Sequence, residues 1–269
     1  TLRYLAYADD IAIPATSMAD LTTAMESLAM EAKKIGLEIN YRKTKWMRQH
    51  RDPPNDERLM IEETEVEQVN EFVYLGQLLS WPRDFKKEIT RRIKAMRANY
   101  VQYRSFLSAP KTEMYLKRKL VNMVLLPTAL YGCETWALTK TAEMQLRRGQ
   151  RRLERWLLRV RLIQKIPSRT IRRKTKLKDW VEAARCRKWK FAKKISALPE
   201  DRWARRLTYW TPKKKRPLGR PRTRWNDSFD LFLGRKTDCK RIDYRTVIDN
   251  SDLWNEYQRH YVQEDRDSD

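Results

Sequence analysis

The stretch YLAYADDIAI, Tyr4 to Ile13, sets two adjacent carboxylates, Asp9 and Asp10, between two short apolar runs. Asp is disfavoured in strands and in cores. The pair therefore marks a bend, and residues 2–13 read as a β-hairpin with the carboxylates at its tip. Two like charges 4 Å apart repel by about 4 kcal/mol at an effective dielectric near 20. A divalent cation removes that repulsion. Mg²⁺ takes hard oxygen ligands, commonly one or two carboxylates plus substrate phosphates, and in two-metal phosphoryl transfer it activates the attacking oxygen and steadies the leaving pyrophosphate. Read from the pair alone, a solvated Asp-Asp turn is the simpler alternative.

Outward from the hairpin, Pro14 stops the second strand and Ser17 or Asp20 caps a helix carrying Leu21, Met25, Leu28, Ala32 and Ile35 on one face, ended by Gly36. A short strand is expected over Leu37–Asn40, and a loop over Asp52–Asp56. Leu59–Ile61 and Glu65–Val69 form one strand or two short ones, and Glu71–Leu79 reads as a strand. Helices are expected over Asp84–Tyr103, with Phe85, Ile89, Ile93, Met96 and Tyr100 inward, and over Thr112–Leu126, Thr141–Val160, Thr175–Ile195 and Asp201–Trp210. Pro212–Arg224 reads as an extended arm, and Glu264–Asp269 as disordered. The outline is α+β: a small antiparallel β piece followed by helices. Three segments are expected, at 1–82, 83–140 and 141–269.

Charge is the strongest compositional signal. The 269 residues carry a net charge of +24. Residues 141–225 hold 30 Lys and Arg against 6 Asp and Glu, so this stretch accounts for the whole excess. An excess this concentrated points to a polyanionic partner rather than to a solvated helix face. Cys133, Cys186 and Cys239 are far apart and odd in number, which disfavours a disulfide framework or a zinc site. No 18-residue apolar run exists to span a membrane. Six Trp lie in the basic stretch. Trp156, Trp180 and Trp189 read as core anchors at helical spacing, and Trp225 is left open between core and base stacking.

Tyr7-Ala8-Asp9-Asp10 resembles the Y-x-D-D motif of reverse transcriptases. Gly36-Leu37-Glu38-Ile39-Asn40-Tyr41-Arg42-Lys43-Thr44 is similar to the G-L-x-x-N-x-x-K-T segment that follows it in that family, and Phe72-Val73-Tyr74-Leu75-Gly76 to the F-x-Y-L-G primer-grip hairpin. Leu130-Tyr131-Gly132-Cys133-Glu134-Thr135-Trp136 and Gly219-Arg220-Pro221-Arg222-Thr223-Arg224-Trp225 resemble segments downstream in LINE-type, non-LTR retrotransposon enzymes.

The resemblance implies a partial palm over 1–82, thumb-like helices over 83–140 and a basic helical nucleic-acid-binding region over 141–269. It implies Asp9 as a Mg²⁺ ligand with Asp10 its less direct neighbour, Tyr7 and Ala8 at the primer end, Lys43 as the acid for pyrophosphate, and Leu75 and Gly76 at the primer-grip turn. From the residues alone, Lys43 is a solvated lysine in a basic loop, and Phe72, Tyr74 and Leu75 are strand core. The partners implied are an RNA template and a DNA primer or target. The family's palm also needs an earlier Asp and nucleotide-binding fingers, absent from this polypeptide. A fragment is therefore expected that depends on the missing N-terminal part and does not polymerise alone.

On the arm, Lys213, Lys214, Lys215 and Arg216 resemble a nuclear-localisation signal. Arg220, Arg222 and Arg224 lie in a G-R-P context similar to an AT-hook, or form a plain phosphate clamp. A ribonucleoprotein present in nucleus and cytoplasm is implied. Two alternatives stand beside the polymerase fragment: a repurposed remnant that only binds nucleic acid, and an interaction protein whose basic region meets acidic partners.

Overall fold

The computed structural model describes residues 2–48, 58–81, 83–210, 223–236 and 243–263. It divides into two compact units, 1–84 and 85–269. Both halves of the α+β expectation are met: the strands lie in the first unit, and the second is helical.

The described residues of the first unit form three antiparallel hairpins and one long helix. Strands β1 (Leu5–Tyr7) and β2 (Asp10–Ala12) pair with Tyr7 opposite Asp10. Helix α1 (Met18–Lys34) begins at Ser17, whose hydroxyl accepts the Asp20 amide, and ends in a Schellman turn. Leu37 N–H returns to Ala32 O at 2.9 Å and Gly36 N–H to Lys33 O at 3.1 Å, with Gly36 at φ 76, where a side chain would be strained. The strand expected over Leu37–Asn40 does not form. The Schellman turn and a following Asn40 turn use its backbone instead.

Strands β3 (Leu59–Ile61) and β4 (Thr64–Val66) are two short strands paired with each other. Glu71–Leu79 is likewise not one strand but a second tight hairpin, β5 (Glu71–Tyr74) and β6 (Gln77–Ser80). Leu75 and Gly76 both have positive φ, 45 and 74, the signature of a type I′ loop whose twist matches its strands. The core of this unit is Met25, Trp46, Leu59, Ile61 and Val66. The Trp46 indole donates to Val66 O at 3.1 Å. Glu62, in the β3–β4 loop, accepts from Lys33 Nζ at 2.6 Å and from Tyr41 OH at 2.8 Å, tying that loop to the end of α1.

The second unit starts with α2 (Phe85–Gln102), whose inward face is the expected one: Ile89, Met96 and Tyr100 are buried, and Phe85 and Ile93 pack on the same core. A short helix α3 (Arg104–Leu107) follows. The helix expected over Thr112–Leu126 is α4 (Met114–Leu120), a π-helical turn (Val121–Leu125) and α5 (Leu126–Ala129) in succession. Pro127 explains the wide turn. It has no N–H for the carbonyl of Met123, and an i→i+5 turn relieves the crowding.

Helix α6 (Lys140–Leu158) buries Leu146, Leu153 and Leu157. Its Gly149 lies where an added Cβ would stand 2.9 Å from Ile93 Cδ1 and 3.3 Å from Trp180, so the helices meet at closest approach there. A helix is also present before the one expected from Thr175. Helix α7 (Ser168–Thr175) stops at Lys176, φ 49, and α8 (Trp180–Ser196) starts afresh with the Asp179 carboxylate on the Val181 and Glu182 amides. Among the described residues four more follow: α9 (Trp203–Tyr209), α10 (Asp227–Lys236), α11 (Arg245–Ile248) and α12 (Ser251–Gln263).

One core runs from Ile89 to Ala184, on both sides of residue 140. A second, aromatic core joins Trp189, Phe229, Phe232, Tyr244, Trp254 and Tyr261. Trp180 and Trp189 are fully buried, and Trp156 is half-buried against Tyr100. The buried Arg185 guanidinium holds both Glu143 oxygens at 2.8 Å, joining α8 to α6.

Candidate functional site

Asp9 and Asp10 sit where the opening stretch places them. Ala8 and Asp9 form a two-residue loop between β1 and β2, and Asp10 is the first residue of β2. Ala8 carries φ 52, a left-handed residue at the first loop position, as primed hairpin turns require. Both aspartates are exposed, and among the described residues neither carboxylate takes part in a hydrogen bond or ion pair. Tyr7, at the end of β1, is 68% exposed, and Tyr4, Leu5 and Ile11 are exposed around it. The ribbon thus presents acid at its tip and apolar side chains along its length.

The segment from Gly36 to Thr44 divides into structural and spare residues. Gly36 makes the cap of α1. Asn40 Oδ1 accepts the Lys43 amide at 3.1 Å, and Thr44 Oγ1 donates to Asn40 O at 2.9 Å. Lys43 is left exposed on this turn. Leu75 and Gly76 form the loop of β5–β6, so Leu75 is not strand core; it is 38% exposed at a turn.

The described residues hold no group of three or more His, Cys, Asp or Glu side chains placed to share a metal ion. Asp9 and Asp10 are a pair of hard oxygen donors, not a complete two-metal site. The described residues alone therefore do not fit a two-ion centre.

In the second unit Arg148 and Arg152 are exposed along α6 and Arg169, Arg173 and Lys174 along α7. Of the arm's basic residues, only Arg224 is described: its backbone amide donates to Asp227 Oδ2 at 2.6 Å at the start of α10. Lys213, Lys214, Lys215, Arg216, Arg220 and Arg222 lie outside the described residues. Trp225 is half-buried, its indole edge-on to Phe229 and its N–H given to Glu134 O at 2.7 Å, which assigns it to packing.

Sequence reasoning did not single out Lys188. It is fully buried on α8, with Nζ 2.9 Å from Ser228 Oγ and 5.0 Å and 5.4 Å from the rings of Phe229 and Trp225. Burial pulls its pKa down to about 7, against the opposing charges of Asp227 and Glu143. Its signal in the sequence, a Lys one residue before Trp189 on an otherwise buried face, is indistinguishable from that of a surface lysine.

Residues 1–79, which include this hairpin, match the family model of reverse transcriptases, RNA-dependent DNA polymerases. Over 234 residues the chain is 28% identical to a putative uncharacterized transposon-derived protein of Caenorhabditis elegans, F52C9.6, with 84% of each chain covered. No solved structure matches. The first part of the chain is thus reverse-transcriptase-like, and the similarity to a transposon-derived protein covers most of its length. Among the described residues no helix is long and apolar enough to cross a membrane.

Proposed function

We propose that the chain is the distal part of a LINE-type retrotransposon reverse transcriptase: the end of the palm, a thumb in α2 to α5, and a basic region that holds template RNA and target DNA. The observation that carries this reading is the two-residue hairpin at Tyr7-Ala8-Asp9-Asp10 within the stretch that matches reverse transcriptases. In the whole enzyme, Asp9 and Asp10 would contribute oxygen ligands to Mg²⁺, which neutralises charge on the phosphates. Tyr7 and Ala8 would meet the primer end, and Lys43 would protonate the leaving pyrophosphate. Leu75 and Gly76 would touch the primer strand through a loop whose backbone is already set. The exposed Tyr4, Leu5, Tyr7 and Ile11 are apolar area that the rest of the polymerase would cover.

With two carboxylates and, among the described residues, no third ligand grouped with them, this polypeptide would bind primer–template without extending it. A second reading, a nucleic-acid-binding remnant, is favoured by the concentration of positive charge in 141–225. The arm at 213–216 would serve nuclear entry of the ribonucleoprotein in either case. Titrating the purified chain with an RNA–DNA primer–template tests the binding. Affinity falls by about 10³ or more between 50 and 200 mM salt if six or more phosphates are neutralised; a flat response contradicts it. Primer extension by the chain, lost in Asp9→Ala, would overturn the proposed inactivity.

A further inference from the structure

Between α6 and α7 the chain makes a stiff, outward-pointing turn. Arg159 ends α6 in the left-handed region, φ 57, with Val160 N–H returned to Arg155 O at 2.9 Å, a helix ending usually made with Gly. Leu162–Gln164 then forms a single 3-10 turn. The Arg161 amide donates to Gln164 Oε1 at 2.7 Å, and Lys165 leaves in the left-handed region again, φ 49. At the tip stand Leu162 and Ile163, 77% and 82% exposed, the most exposed large apolar side chains among the described residues.

Their setting is cationic. From Arg155 to Lys178 there are 10 Lys and Arg and no Asp or Glu, and Arg159, Arg161 and Lys165 are all exposed. Nearby, the buried Lys117 ammonium donates to the Leu157 carbonyl at 3.4 Å. Its pKa is lowered first by burial and then by the charge of Arg159, so the root of the turn is positive.

We propose that the Arg161–Lys165 turn is a wedge for duplex DNA: Leu162 and Ile163 enter the minor groove and part a base step, while Arg159, Arg161 and Lys165 take the flanking phosphates. Aliphatic wedges of this kind kink a duplex by unstacking one step. The surrounding cations release counterions on binding. Aliphatic tips suit a base step better than a lone strand, whose bases need flat aromatic platforms. An apolar tip in a basic ring also fits an anionic membrane surface; the similarity of residues 1–79 to polymerases favours nucleic acid. The inference rests on the nucleic-acid reading above.

The test uses the full chain and a short duplex labelled with a fluorescence-transfer pair at its ends. Wild type brings the ends closer on binding. Leu162→Ser with Ile163→Ser, both at solvent-exposed positions, abolishes that change while leaving the salt dependence of binding as it was. Arg161→Gln with Lys165→Gln lowers the slope of log affinity against log salt by about 2. If the apolar double variant bends the duplex as wild type does, the wedge is wrong while the nucleic-acid reading stands. If the chain binds no nucleic acid, both fall. If phosphatidylserine vesicles capture wild type but not the apolar double variant, and duplex bending is the same in both, the turn is a membrane element and the wedge is overturned.

Discussion

The indole N–H of Trp225 donates to the backbone carbonyl of Glu134 at 2.7 Å, across 91 residues of chain. It ties the segment ending in Thr223-Arg224-Trp225 to Tyr131–Trp136, where Trp136 and Cys133 are fully buried. Trp225 and the Tyr131–Trp136 stretch, which belong to separate motifs in the sequence, are therefore joined by packing and this bond. Trp225→Phe keeps the ring contacts and loses the hydrogen bond. It should lower the unfolding free energy by about 1–2 kcal/mol in a denaturant titration of the full chain. Trp210→Phe, at a 65% exposed ring, should change it by less than about 0.5 kcal/mol.

Lys188 makes the second unit sensitive to pH in the direction opposite to a salt-bridged lysine. Its folded pKa, about 7, lies below the ordinary value of 10.5. Between those values the unfolded chain holds the proton and the folded one does not, so stability rises as pH rises. Two groups oppose this at higher pH. Burial pushes the Cys133 thiol up to about 12 from 9.0 and raises the Tyr244 phenol above 10.0, and each loses stability as pH climbs past its unfolded value. The clean window is therefore pH 7 to 9. Urea midpoints should increase across it in wild type and increase less in Lys188→Met, which fills the same space without a charge and leaves only the smaller contribution of the buried Lys117.

Glu143 and Arg185 are buried together, so the loss of one partner strands the other. Glu143→Ala should cost about 3–5 kcal/mol, while the paired change Glu143→Leu with Arg185→Met should recover most of it. Thermal unfolding of the three chains checks this. An equal loss in the single and double variants would show the pair to be stabilising in itself.

Gly36 and Gly149 need to be glycine for different reasons, and substitution separates them. Gly36 has φ 76 and open space around it. Gly36→Ala should therefore cost about 1 kcal/mol from backbone strain, and Gly36→Asn much less. Gly149 is helical, and its neighbours Ile93 and Trp180 occupy the space a side chain would need. Gly149→Val should cost about 1–3 kcal/mol through overpacking. Hydrogen exchange resolves the two, since Gly36→Ala should loosen amides of residues 1–84 only.

Helix periodicity was readable wherever one face is apolar over several turns. Ile89, Ile93, Met96 and Tyr100 mark α2, and Leu146, Leu153 and Leu157 mark α6, because burial follows the 3.6-residue repeat. The Asp9–Asp10 bend was readable because two adjacent carboxylates are disfavoured inside a strand; Asp9 falls in the loop and Asp10 opens β2. Local backbone chemistry hid the rest. Phe72 to Leu79 is a mostly apolar run that reads like one strand, yet Gly76 folds it in two, and a lone Gly in a strand pattern is ambiguous. The break between α7 and α8 depends on Lys176 adopting a left-handed φ, which no residue type there signals. Lys188 was invisible for another reason: its burial comes from α10, about 40 residues further along the chain.

The most direct measurement is a photo-crosslink from the primer 3′ end of an RNA–DNA primer–template bound to the full chain, followed by mass spectrometry of the attached peptides. If the first unit is a polymerase palm, the crosslinks fall on the peptides containing Tyr7–Asp10 and Leu75–Gly76. Crosslinks confined to residues 141–225, with none on either hairpin, would contradict the polymerase assignment and leave a cationic nucleic-acid-binding protein.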